Sequence, residues 1–101
     1  MDKTTLNAIR ALRRKPERAE QGQFVVEGDK GVAELVESSI AMERMYYVST
    51  MEHAVPDSHR HVAEQISVKD MGQISQMNTA PGLLAVASIP HRAHEDLSLI
   101  H

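Results

Sequence analysis

A chain of 101 residues, 42% hydrophobic and 25% charged, has room for one domain around one modest core. It contains no cysteine, which excludes disulfides and thiolate chemistry, and no run approaches the ~20 apolar residues of a membrane span. The net charge of -3 argues against a polyanion partner, yet residues 1–18 hold six of the eleven Lys and Arg against only Asp2 and Glu17. That local balance of +4, beside -7 for the remainder, fits a polyanion-facing edge or a solvated helix face, and charge alone leaves both open. The polar N-terminus lacks the apolar core of a secretory signal, so the cytoplasm is the default reading.

Leu6, Ile9 and Leu12 mark the apolar side of a first helix. It is expected to end near Pro16, because proline disfavours helix at the residue before it, here Lys15. On the opposite side Lys3, Asn7, Arg10 and Arg14 form one stripe, about 16 Å long at ~1.5 Å per residue. Residues 15–23 read as a polar connection. Phe24-Val25-Val26 is a buried strand, and Gly28 ends it, since only glycine takes positive φ without steric cost. Val32, Leu35, Val36 and Ile40 then recur with helical spacing, giving the first half of a βαβ unit.

Met45-Tyr46-Tyr47-Val48 reads as a second strand, far enough on for a parallel crossover. Pro56-Asp57 can open a short helical turn, and Val62 to Ile66 is a third strand. Ser67 and Asp70 resemble a capping box opening a helix that buries Met71, Ile74 and Met77. Leu83-Leu84-Ala85-Val86-Ala87 is an uninterrupted apolar run, as expected of a strand buried on both faces. From Pro90 the composition is polar and includes three histidines. The elements predict an α/β domain over residues 1–89, with a mostly parallel four-stranded sheet between helices. Phe24–Val26 and Leu84–Ala87 are both expected in its interior.

No phosphate-binding glycine loop or nucleophile elbow is present. His59 and His61, and His91 and His94, have spacings that bring two ligands together, but each pair lacks a third ligand, so no metal site is assigned. Arginine grips phosphate with a planar fork and lysine adds a point charge, which makes the cationic segment the better candidate. Only Phe24, Tyr46 and Tyr47 are aromatic, so an RNA partner would be held through phosphates, shape and polar loop contacts rather than base stacking. Glu27, directly after an apolar strand, is expected to accept hydrogen bonds from a loop or to pair with an arginine.

Arg14-Lys15-x-x-Arg18, followed by Gly22-x-Phe24-Val25-Val26-Glu27-Gly28-x-Lys30, resembles the N-terminal substrate-binding domain of SpoU (TrmH) family RNA 2′-O-ribose methyltransferases. Ile74-Ser75-x-x-Asn78-Thr79-x-Pro81-Gly82-Leu83-Leu84-Ala85-Val86 resembles a later stretch of that domain, although Ala80 intervenes where the family often has proline. The resemblance implies a three-layer α/β/α domain like the kink-turn-binding ribosomal proteins. It implies an RNA surface formed by Arg13, Arg14, Lys15, Arg18, Lys30, Asn78 and Thr79, with Glu27 and Gly28 structural. It further implies that residues 90–101 are a linker toward a knotted catalytic domain outside this chain. That domain would bind S-adenosylmethionine, carry the catalytic arginine and asparagine, and mediate oligomerisation. This chain alone would then recognise ribosomal or transfer RNA without transferring a methyl group. A free-standing kink-turn-type RNA-binding protein, or a protein-interaction module meeting an acidic partner, are the alternatives.

Overall fold

The computed structural model describes residues 1–90, so most of the expected linker, with His91, His94 and His101, lies outside the described residues. The elements run α1 (Lys3–Ala11), α2 (Lys15–Gln21), β1 (Gln23–Glu27), α3 (Asp29–Glu37), β2 (Met42–Tyr47), β3 (Ala63–Gln65), α4 (Val68–Ile74) and β4 (Leu83–Ser88). Two short 3-10 helices, Ser49–Ala54 and Asp57–Val62, connect β2 to β3, the second directly after Pro56.

The most apolar strand takes the middle of the sheet. Leu83 to Ala87 are all buried, and β4 is hydrogen-bonded on both sides in the order β1-β4-β2-β3. Alternation along it feeds two cores. Leu84 and Val86 join Leu6 and Ile9 of α1, Leu12 at its C-cap, and Met71 and Ile74 of α4, while Leu83, Ala85 and Ala87 join Val32 and Leu35 of α3. Helices therefore cover both faces, in three layers.

The expectation of a mostly parallel sheet is wrong. β4 pairs antiparallel with β1 and with β2, and only β2 and β3 pair in parallel. β1, β2 and β3 do run in one direction, as the strand-helix-strand pattern implies, but β4 is inserted between β1 and β2 and runs against them. The reason lies in α4. It follows β3 and ends with Ser75 bonded to Glu27 at the end of β1, so it crosses the strand ends from one edge to the other. Its seven residues span ~10 Å against the ~14 Å across four strands, and they deliver the chain to the C-terminal ends of its neighbours. From there β4 can only return antiparallel. β1 is thereby an edge strand, half-buried along its length, which corrects the interior placement of Phe24–Val26.

Residues 15–23 are also not merely a connection. Arg14 is the N-cap of α2, with Pro16 in its first turn. There the proline needs no intrahelical N–H partner and its fixed φ suits the helix. Pro16 separates two helices by starting the second.

Candidate nucleic-acid interface

The polar stripe of α1 reaches solvent as its spacing requires: Lys3, Asn7, Arg10 and Arg14 are all exposed. Asn7, Arg10, Ala11, Arg13 and Arg14 line one open depression at its C-terminal end. The cations around it are not equivalent. The Arg14 side chain is 69% exposed, with Nη2 3.2 Å from Glu17 Oε1. An exposed pair of this kind contributes only ~0.2–1 kcal/mol, so a phosphate can displace the carboxylate. Lys15 and Arg10 are exposed as well.

Arg13 and Arg18 are committed to the fold. Arg18 Nη1 donates to the carbonyls of Leu12 and Arg13, both at 3.0 Å, and so caps the end of α1. Arg13 Nη2 donates to Gln73 O at 3.1 Å and Ser75 O at 2.7 Å, capping α4 in the same way. The last carbonyls of a helix lack intrahelical donors, and guanidinium supplies them. The expected edge of Arg13, Arg14, Lys15 and Arg18 thus divides into two helix caps and two cations, Arg14 and Lys15, that hold no backbone carbonyl. Arg10 joins them on the exposed side; its place one turn before Arg14 is the sequence signal for it.

A second group lies at the end of β1. Gly28 adopts φ 91°, donates its N–H to Leu83 O at 2.9 Å and caps α3. Lys30 is exposed in the first turn of that helix, where the N–H dipoles disfavour a cation, so its placement does not serve helix stability. Glu27 accepts the Ser75 hydroxyl and the Gln76 N–H, each at 2.7 Å. Every residue of the loop from Gln76 to Thr79 is exposed, Asn78 and Thr79 included. It re-enters the fold at Gly82, whose φ is 84° and where a Cβ would lie 2.8 Å from Val48 Cγ2 and 2.9 Å from Met51 Cγ. Ser75 joins the two groups, with Arg13 on its carbonyl and Glu27 on its hydroxyl.

Residues 3–85 match the family model of the MRM3-like substrate binding domain. The chain belongs to this family. Among solved structures it is similar to a protein described as an RNA methyltransferase of the TrmH family from Porphyromonas gingivalis. There the identity is 25% and the TM-score 0.77, over 89% of this chain and 36% of that one. It shares its fold with an rRNA methyltransferase from Sinorhizobium meliloti (18% identity, TM-score 0.68, 85% of this chain and 34% of that one). It shares it also with the SpoU methyltransferase AviRb from Streptomyces viridochromogenes, solved with AdoMet (21% identity, TM-score 0.65, 88% and 36%). The chain spans about a third of the length of these proteins. No curated protein matches it.

Other chemistry in this MRM3-like domain is sparse. His59 and His61 stack with ring centroids 6.3 Å apart, and no group of three metal-binding side chains occurs among the described residues. Tyr46 is buried, and its hydroxyl accepts from Arg44 Nη1 at 3.3 Å, which raises the Arg44 pKa above its ordinary value. Phe24 and Tyr47 are half-buried, so the described surface offers no fully exposed aromatic face to a base. No described helix is long and apolar enough to cross a membrane.

Proposed function

We propose that this MRM3-like domain is the RNA-recognition part of an S-adenosylmethionine-dependent RNA 2′-O-ribose methyltransferase, and that it presents structured ribosomal or transfer RNA to a catalytic domain elsewhere. The match of residues 3–85 to a substrate-binding family carries this reading. The charge distribution supports it: Arg10 and Arg14 line one depression of an otherwise acidic chain, and Lys15, the next residue along from Arg14, is exposed as well. Arg10 and Arg14 supply forks and Lys15 a point charge for successive phosphates. Lys30 and the Asn78–Thr79 loop supply polar contacts at the end of β1, so phosphates set the register and the loop meets exposed base edges.

Methyl transfer is assigned to the partner domain. S-adenosylmethionine supplies an activated methyl when bound, and the open, cationic depression beside α1 suits phosphates rather than that cofactor. Two titrations test the reading. The 101-residue chain should bind a folded RNA hairpin with an affinity that falls as salt rises, and should show no heat of binding with S-adenosylmethionine. Salt-independent RNA binding, or stoichiometric cofactor binding at micromolar affinity, refutes it.

A further inference from the structure

Two charged side chains in the interface, exposed Arg13 and half-buried Glu27, converge on one residue. Ser75 is 4% exposed and ends α4 as its C-cap. Its carbonyl accepts from Arg13, 62 positions away in sequence, and its hydroxyl donates to Glu27, 48 positions away. The same hydroxyl accepts the Met77 N–H at 3.1 Å, and the second Glu27 oxygen accepts the Gln76 N–H. Among the described residues Arg13 and Glu27 form no ion pair with each other, so both charges are directed at this one stretch of backbone.

The consequence falls on the loop after Ser75. Gln76, Met77, Asn78 and Thr79 are all exposed, Met77 at 56%, and the chain packs back against the core from Ala80 and turns in at Gly82. A helix of seven residues has little stability of its own. Without donors for its last carbonyls its end would fray, and the loop would lose its starting direction. Charge-assisted bonds are the strong kind, and here they come from α1's end and from β1's end.

We propose that Arg13 and Glu27 are positioning residues: acting through Ser75, they set the conformation of Gln76–Thr79, and that loop reads an unpaired element of a structured RNA. Unpaired bases are the target because they expose their edges to side chains such as Gln76, Asn78 and Thr79, whereas a paired A-form helix offers mainly its backbone. The inference rests on the RNA-binding reading above. It separates two jobs, with Arg10, Arg14 and Lys15 holding phosphates and the clamped loop discriminating between RNAs.

The test titrates the 101-residue chain and four variants, Arg13→Gln, Glu27→Gln, Ser75→Ala and Arg14→Gln, with two RNA probes across a range of salt. One probe is a hairpin with an internal loop and the other a fully paired hairpin of the same length. Hydrogen exchange at the Met77 amide is measured without RNA. Arg13→Gln, Glu27→Gln and Ser75→Ala should each reduce the preference for the internal-loop probe by about tenfold, as for the loss of one good hydrogen bond. They should also speed exchange at Met77 and leave the salt slope at the parent value. Arg14→Gln should instead weaken both probes alike and flatten the slope by ~0.7–0.9. Arg13→Lys, which can still reach one carbonyl, should recover part of the preference. Ser75→Ala leaves the backbone acceptor and the core intact, so the clamp stays testable should Arg13→Gln not fold. A slope flattened by Arg13→Gln as by Arg14→Gln would make Arg13 a phosphate contact and overturn the proposal. So would an unchanged preference in folded Glu27→Gln and Ser75→Ala. A parent that binds both probes equally overturns the clamp and leaves the phosphate reading standing; a parent that binds neither removes both.

Discussion

Arg14 and Arg18 sit four residues apart, both cationic and both within the family-like segment, yet their replacement should have opposite effects. Arg18 Nη1 holds two carbonyls at 3.0 Å, one of them that of Leu12, which is 1% exposed. Charge-assisted bonds contribute ~1.5–3 kcal/mol, and partial exposure of this pair of contacts brings the expected cost of Arg18→Gln to about 1–2 kcal/mol. In a domain of this size that lowers the melting temperature by roughly 4–15 °C. Arg14→Gln removes one screened surface pair, so it should cost only ~0.2–1 kcal/mol, a shift of a few degrees. On RNA the order reverses. Arg14→Gln should reduce the slope of log affinity against log salt by ~0.7–0.9, and Arg18→Gln should leave it unchanged. Thermal unfolding by circular dichroism and salt-dependent fluorescence anisotropy read the two axes. An Arg18→Gln variant that melts with the parent and loses slope would show that its guanidinium leaves the helix end for phosphate, and the division into helix caps and exposed cations would fail.

Gly82→Ala should be among the costliest single-atom-scale changes, since it strains a φ of 84° and drives a Cβ to 2.8 Å from Val48 Cγ2. A loss of about 2–4 kcal/mol is expected from strain and overpacking together, read by chemical denaturation. Leu84→Ala, in the centre of the sheet at 0% exposure, should cost ~2–5 kcal/mol. Val26→Asp, on the half-buried edge strand, should keep a cooperative transition because the carboxylate can reach water. Loss of cooperativity in that variant would place β1 in the interior after all. Asp2 caps α1 and its pKa is lowered, first by the hydrogen bond to Thr5. Its folded value lies below its unfolded one, so its contribution is present above about pH 4 and is lost as pH falls through the folded value. Asp2→Asn retains a capping oxygen and should flatten that part of the acid unfolding curve.

Much of this architecture is legible in the sequence because it is local. Phe24 to Gly28 announces a strand and a positive-φ turn, Ser67 announces a cap, and Leu83 to Ala87 can only be central. Strand direction is not legible, since an apolar run specifies burial and says nothing of which neighbour it pairs with or in which sense. Pro16 misleads because proline is compatible both with a stop and with a first turn. The cationic segment is visible as composition, but its division is not. Arg13 and Arg18 differ from Arg14 only through carbonyl partners, and Arg13's lie 60 and 62 positions away.

The inverted last strand is what makes the end of the sheet a composite surface. Had β4 run with its neighbours, its N-terminus and the loop before it would lie at the opposite end from Gly28. Because it runs against them, Leu83 receives the Gly28 N–H and Gly82 receives that of Val48, so two positive-φ glycines meet at one end of the sheet. The loop of Gln76–Thr79 is brought beside the ends of β1 and α1 by that reversal, and Ser75 is the residue that ties the three together. The antiparallel insertion that sequence periodicity could not foresee is therefore the feature that assembles the candidate interface.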